Sequence, residues 1–253
     1  MRPPLASLEM TAVSKTFDNR EVAVSGVSFA VYPGEIFCLL GGSQSGKTAI
    51  VDLATGSIAP SAGRVSVCGI EPLSQPIAAK RHLTFASTEG ALRPSLSVQR
   101  NMTFFAGMAA EPSDPSKEDC LNALRDVGLP DRVIDRPLRS LTPEATLRVW
   151  LAIASLKKSR LVLLDEPTRG ISTTGARTLP TYLLDLKSRG VGVFVATSDV
   201  VFASQVADRL AIIQSGRLTS RRTRDQVLAL SLAQIYLDYL GELPPSNQIG
   251  SIP

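Results

Sequence analysis

Five apolar residues in a row, Ile36-Phe37-Cys38-Leu39-Leu40, run directly into Gly41-Gly42-Ser43-Gln44-Ser45-Gly46-Lys47-Thr48. Nothing else in the chain restricts its fold so strongly. A short continuous apolar run bounded by turn residues suits a strand buried on both faces. The loop after it fits GxxxxGK[ST], and a helical pattern follows Thr48. Glycines let such a loop wrap, so that successive backbone N–H groups point inward at phosphate oxygens. The next helix presents the positive end of its dipole to the same anion. Lys47 adds a full charge at the β/γ-phosphates, and Thr48 offers a hydroxyl to Mg²⁺. Average residue usage yields this pattern by chance in roughly one chain per hundred of this length. The strand–loop–helix order separates it further from an ordinary Gly/Ser turn.

A phosphate loop of this kind needs a carboxylate at the end of a neighbouring buried strand, holding Mg²⁺ through water. Leu161-Val162-Leu163-Leu164 is a second buried run, and Asp165 ends it. Glu166 follows as the candidate general base that polarises the attacking water. Without the loop, two adjacent carboxylates at a strand end would read as surface charge.

Composition removes competing chemistries. Apolar residues make up 44% of the 253, enough for a sizeable core. The net charge of +4 is too small and scattered to argue for nucleic acid, and none is expected as a partner. The one histidine, His82, excludes His-rich zinc centres and the HExxH pattern, and any Ser–His–Asp arrangement would have to use it. Cys38, Cys68 and Cys120 form no CxxC pair, so they read as small buried hydrophobes in a reducing compartment. No apolar h-region follows Met1-Arg2-Pro3-Pro4, and no run approaches the ~18 residues a membrane span needs. The expectation is a soluble cytosolic chain.

The first ninety residues read chiefly as strands, Val22–Val31, Ile36–Leu40 and Arg64–Cys68. Helical spacing governs Val98–Ala110 and Lys117–Val127, and Thr142-Pro143-Glu144 begins a third helix with threonine as its cap. Strand patterns resume at Val191–Thr197 and Leu210–Ile213, with helices over Gly175–Ser188 and Leu228–Leu240. Strands alternating with helices imply a mostly parallel sheet covered on both faces. Glu242–Pro253 is a Pro/Ser/Gly tail.

With these residues in place, the chain resembles the nucleotide-binding subunit of an ATP-binding-cassette (ABC) transporter over nearly its whole length. Pro33-Gly34-Glu35 matches the family's approach to the phosphate-loop strand, and Leu164-Asp165-Glu166-Pro167-Thr168 its Walker B segment. The resemblance implies an α/β P-loop NTPase fold, RecA-like, with an N-terminal antiparallel β subdomain and a helical subdomain. Residues 1–253 then form a single ABC ATPase domain. Residues 1–87 and 161–221 carry the nucleotide-binding core with the β subdomain, 88–160 the helical/signature subdomain, and 222–253 a C-terminal helix and tail. ATP and Mg²⁺ are the implied cofactors. Gly41, Gly42, Ser43, Gln44, Ser45, Gly46, Lys47, Thr48 and Ala49 would hold the nucleotide, Phe17 would stack on adenine, and Thr48 and Asp165 would serve the metal. Glu166 would be catalytic. Val98, Asn101, Phe104-Phe105-Ala106-Gly107 and the ending Leu232–Gly241 resemble subunits that serve ABC-2-type permeases, mostly exporters. Integral permease subunits are the implied partners, with the chain peripheral on the inner face of the cell membrane.

The chain departs from the family at four places. The Q-loop glutamine aligns with Thr88, and the switch histidine with Ser198 in Ala196-Thr197-Ser198-Asp199. The D-loop aspartate aligns with Ser172. The signature LSGGQ aligns with Leu141-Thr142-Pro143-Glu144-Ala145, where Pro143 lacks an N–H and Glu144 brings a negative charge to the phosphate's place. Hydrolysis should therefore be weak or partner-dependent. In this family each ATP lies between one subunit's P-loop and the other's signature, so a heterodimer with an orthodox ABC ATPase subunit is expected ahead of a homodimer. The competing function is a catalytically impaired pseudo-ATPase acting as a nucleotide-gated interaction or regulatory module. A soluble ABC ATPase of the repair or cluster-assembly kind would need long insertions. Lys157-Lys158-Ser159-Arg160 and Arg217…Arg221-Arg222-Thr223-Arg224 read as solvated helix ends and loops, with anionic lipid headgroups as the alternative.

Overall fold

The computed structural model of the chain describes residues 4–18, 20–86, 92–111, 114–229 and 232–240. Thr88, with the rest of 87–91, lies outside the described residues, as do Gly241 and the 242–253 tail.

Every side chain of Ile36–Leu40 is buried, so both faces of that strand need apolar cover, and two separate clusters supply it. In chain order, β1 (Leu8–Thr16) and β2 (Val22–Val31) pair antiparallel, and β3 (Ile36–Leu40) follows the turn at Gly34. Then come α1 (Lys47–Thr55), β4 (Ala62–Val67), α2 (Pro76–His82) and β5 (Leu83–Ala86). The middle holds α3 (Val98–Ala106), α4 (Lys117–Asp126) and α5 (Pro143–Leu156). The last part runs β6 (Leu161–Asp165), α6 (Thr173–Ser188), β7 (Gly192–Thr197), α7 (Val200–Val206), β8 (Arg209–Gln214), β9 (Arg217–Thr223), α8 (Arg224–Ala229) and α9 (Leu232–Leu240).

The strands form a three-stranded antiparallel sheet, β2-β1-β4, and a six-stranded sheet ordered β5-β6-β7-β3-β8-β9. All neighbours in the larger sheet are parallel except β8 and β9. Alternate residues of the central strands feed opposite clusters. Phe37, Leu39, Phe194 and Ala196 face the antiparallel sheet, whereas Cys38, Leu40, Val193 and Val195 face the helical side. Phe29 stacks on Phe37 at 4.8 Å and on Phe194 at 5.5 Å, joining the two sheets. Each such buried aromatic contributes about 1.5–3 kcal/mol of burial. Register then sets the site. Leu40 pairs with Thr197, and Asp165 with Ala196, so β3, β6 and β7 end along one edge of the sheet.

The α/β architecture follows the sequence pattern, with local corrections. Besides α1, the helix expected after the glycine loop, the first ninety residues also contain α2. Only Ala79 of α2 is buried, which leaves no apolar stripe to read. The helix from Val98 stops at Ala106 and does not reach Ala110. At the C-terminal end α8 begins at Arg224, ahead of the expected Leu228, and helix is again present over Leu232–Leu240. Arg217–Thr223, read as solvated loop, is an edge strand whose side chains alternate between exposed and half-buried. Lys157, read as a solvated cation, is buried. It donates to the carbonyls of Lys80 at 2.6 Å and Leu83 at 2.5 Å, and burial lowers its pKa to about 8.

Candidate functional site

The loop after β3 closes by geometry that only its glycines allow. Gly46 sits at φ 105°, and a Cβ there would lie 2.3 Å from the Ala23 carbonyl oxygen. A Cβ on Gly41 would lie 2.4 Å from Ser45 Oγ. The Gly41 N–H donates to the Thr197 carbonyl at 3.1 Å, hooking the loop to the end of β7. Lys47 is only 6% exposed. Its Nζ donates to the carbonyls of Gly41 (2.6 Å) and Gly42 (2.7 Å) and lies 3.3 Å from Glu166 Oε1. The start of α1 carries no side-chain cap and no acidic residue in its first turn, so its N–H groups are left for an external anion.

Thr48 and Asp165 meet at the loop's end, with Thr48 Oγ1 donating to Asp165 Oδ2 at 3.4 Å. Asp165 Oδ1 is buried and unpartnered among the described residues, as is Ser45 Oγ. Burial raises the Asp165 pKa, and Glu166 adds to the rise while Lys47 and Thr48 oppose it. A hydroxyl and a carboxylate with one orphaned oxygen suit Mg²⁺, which keeps waters and takes one or two protein ligands besides phosphate. Among the described residues no cluster of three His, Cys, Asp or Glu side chains offers an all-protein metal cage.

Glu166 adopts φ 45°, a left-handed conformation uncommon outside glycine. Its N–H donates to the Ala196 carbonyl at 2.8 Å. Its Oε2 accepts from the Ser198 N–H (3.0 Å), the Ser198 hydroxyl (3.1 Å) and the Thr197 hydroxyl (3.3 Å). The structure therefore brings Gly41–Thr48, Asp165, Glu166 and Ser198 together at one sheet edge. Phe17 is not tied to the loop. Its ring is 40% exposed with Lys15 Nζ over it at 5.3 Å, although the hairpin carrying it leads into Ala23, against Gly46. His82 ends α2. Burial chiefly, then Arg160, Lys157 and Arg81, lower its pKa.

The Leu141–Ala145 segment is organised differently. Thr142 caps α5 by accepting from the Ala145 N–H at 3.2 Å, and Pro143 opens the helix. Glu144 does not project its charge as the sequence suggested. Its Oε1 accepts from Arg148 at 2.5 Å and its Oε2 from the Ser172 hydroxyl at 2.7 Å. A Cβ on Gly175 would lie 2.3 Å from that carboxylate, so glycine is what admits it. Arg148 also donates to Thr178 Oγ1 at 3.0 Å and lies over the Tyr182 ring.

Sequence reasoning overlooked two residues at the phosphate edge. Tyr239 Oη lies 3.5 Å from where a Gly42 Cβ would be, and the Tyr239 carbonyl accepts from Gln214 at 2.8 Å. Its four-residue spacing from buried Ile235 was the available signal. Arg169 lines a cleft of about 270 Å³ with Ser43, Glu166, Thr168 and Ser198. Its signal was a cation placed three residues after the second carboxylate.

A family model described as ABC transporter matches residues 24–169. The Nod factor export ATP-binding protein I of Rhizobium etli is 26% identical over 92% of the chain and 74% of its own length. The spermidine/putrescine import ATP-binding protein PotA of Pseudomonas aeruginosa is 30% identical over 96% of the chain and 66% of its own length. A solved ATP-binding subunit of an ABC transporter superposes with a TM-score of 0.81 at 22% identity, covering 92% of this chain and 99% of that one.

Proposed function

The chain belongs to the ABC transporter family as an ATP-binding subunit with the ATPase fold, and from that premise we propose that it binds MgATP firmly, hydrolyses it weakly, and couples it to a membrane permease. The observation that carries this reading is the Glu166 carboxylate, held on Oε2 by both donors of Ser198.

Binding rests on the loop. Backbone N–H groups from Gly42 to Ala49 and the open start of α1 receive the phosphates, and Lys47 turns from the Gly41 and Gly42 carbonyls to the β/γ-phosphates. Thr48 and Asp165 hold Mg²⁺, which neutralises phosphate charge. Phe17 offers its exposed ring to adenine. Hydrolysis needs Glu166 to accept a proton from water. Here the water must compete with Ser198 and Thr197, which already donate to Oε2, for the carboxylate's lone pairs. Serine also brings no charge and little reach to the terminal phosphate, so the water lacks a second group to position it.

The permease side is supported by a groove of about 390 Å³ lined by Phe104, Phe105, Met108, Trp150, Lys80 and Lys157. Phe104 is 44% exposed there, an apolar invitation to a partner. Among the described residues no helix is long and apolar enough to cross a membrane, so membrane location would come through that partner. The relatives include an importer and exporters; the Val98–Gly107 segment favours an ABC-2-type exporter at the inner face of the cell membrane. Because Pro143 lacks the N–H and the Glu144 side chain is tied to its own chain where the family offers phosphate-binding amides, the natural pairing is a heterodimer with an orthodox ATPase subunit.

Turnover and MgATP affinity of wild type, Lys47→Ala and Thr88→Gln/Ser198→His test this. We expect Mg²⁺-dependent binding lost in Lys47→Ala and slow wild-type turnover that rises in the double variant when an orthodox partner subunit is present. Fast turnover by wild type alone sinks the reading. The tie of Glu144 to its own Ser172 favours a second reading, a nucleotide-gated module without transport. Co-purification with a polytopic membrane protein separates the two.

A further inference from the structure

The site holds two cations, and their situations differ. Lys47 is buried and already engaged by the Gly41 and Gly42 carbonyls and by Glu166. Arg169 is exposed, and its side chain makes no hydrogen bond or ion pair with any described residue. Only its backbone is fixed. Its N–H donates to the Glu166 carbonyl at 2.9 Å, so the tight turn that carries the carboxylate also carries the guanidinium.

That turn places Arg169 on the wall of the 270 Å³ cleft, opposite the loop's Ser43 and beside Glu166 and Ser198. The charges lining this cleft are one carboxylate and one guanidinium. A terminal phosphate entering it would meet Glu166, a like charge at short range, and apart from Arg169 the rest of the lining, Ser43, Thr168 and Ser198, carries no charge to offset it. Arginine answers that problem. Its planar fork donates two parallel N–H bonds to a phosphate, and it stays charged at any physiological pH.

We propose that Arg169 binds the γ-phosphate of the nucleotide held by its own chain's loop, and so makes the site discriminate ATP from ADP. This residue deepens the reading of the loop as a nucleotide site and rests on it. Arg169 supplies in cis a charge that Ser198 does not. On this proposal the cleft takes the third phosphate, so Arg169 should contribute little to ADP affinity. The role is one of specificity: a firmer grip on the triphosphate does not by itself accelerate its hydrolysis.

The test is a pair of affinities measured on the full chain with Mg²⁺, for ATP (or its non-hydrolysable imido analogue) and for ADP. Arg169→Ala should weaken ATP about tenfold, the scale of a lost charge-assisted hydrogen bond, and change ADP by less than about twofold. Arg169→Gln should behave like alanine, and Arg169→Lys should recover part of the loss. The nucleotide-free melting temperature should not move, because the side chain has no partner among the described residues to lose. Equal weakening of ATP and ADP, or no weakening of either, overturns the proposal. Lys47→Ala is the control: if it leaves both affinities intact, the nucleotide site itself is misread; if it lowers both while the Arg169 variants change nothing, only the role of Arg169 falls.

Discussion

Two helix starts in this molecule solve the same problem in opposite ways. Every helix begins with N–H groups that lack an intrahelical partner. At α1 the preceding residue is Gly46, no side chain caps the helix, and no acid sits in the first turn. At α5 Thr142 caps the helix, Pro143 removes one N–H, and Glu144 stands in the first turn. The first start leaves its donors for an anion from outside. The second satisfies itself. Glu144 extends this closure to a neighbour, since Ser172, which bonds its carboxylate, also caps α6 by accepting from the Gly175 N–H at 3.0 Å. A chain built to present its signature turn to a phosphate on another subunit would not seal that turn with its own side chains. The asymmetry supports the proposal of an ATP-holding subunit that contributes little to a partner's site.

The sharpest way to break the contrast is to close the open start. Gly46→Ala puts a Cβ at 2.3 Å from the Ala23 oxygen and 3.4 Å from the Gly216 Cα, in a conformation only glycine tolerates. These neighbours are backbone and cannot swing away. The loop must shift, and we expect a loss of about 3 kcal/mol in stability together with ATP binding. Chemical denaturation and a nucleotide titration of the same variant read both effects. A variant of unchanged stability would show that the loop is not under this constraint.

How legible each start was in the sequence follows from where its partners lie. The phosphate loop is local: strand, glycines, lysine and hydroxyl sit within thirteen consecutive residues, Ile36 to Thr48, and need no tertiary information. Asp165 and Glu166 were found because a buried run ends on them. The cap at Thr142 was also local and was read correctly. The direction of the Glu144 side chain was not, because Ser172 lies 28 residues on and only packing of α5 near α6 brings the two together. Lys157 escaped for the same reason, as its acceptors Lys80 and Leu83 come from α2 and β5. In β9 the exposed Arg217, Thr219, Arg221 and Thr223 alternate with half-buried Leu218, Ser220 and Arg222, a mostly polar pattern that mimics a solvated basic run, since edge strands need little apolar content.

A smaller effect sharpens the open side. Asp165 carries a pKa raised by burial and by Glu166, so its folded form binds a proton more tightly than the unfolded chain does. Stability should therefore fall as pH rises above the ordinary aspartate value and through the raised one. Asp165→Asn removes the buried charge. At neutral pH it should raise the nucleotide-free melting temperature by a few degrees and abolish the Mg²⁺ dependence of ATP affinity. Thermal scans across pH 4 to 7, with and without Mg²⁺, make the comparison. A lowered melting temperature would mean that the carboxylate stabilises the empty loop instead of waiting for a cation.

The smallest effect examines the sealed side. If Glu144 and Ser172 form one unit, the variants Glu144→Gln and Ser172→Ala should not be additive. Ser172→Ala loses the α6 cap, worth about 1 kcal/mol, and also the hydroxyl that Glu144 accepts. Glu144→Gln keeps the shape but weakens the part-buried Arg148 contact and the exposed Ser172 contact, together by about 1 kcal/mol. The double variant should fall short of the sum by about 0.5 kcal/mol, since their shared bond can be lost only once. ATP affinity at the chain's own loop should be untouched throughout, because none of these groups faces it. Additive losses would mean that the 2.7 Å contact is not an energetic link. The start of α5 would then be sealed by Thr142 and Pro143 alone, and Glu144 would be free to meet a partner's nucleotide as an opposing charge.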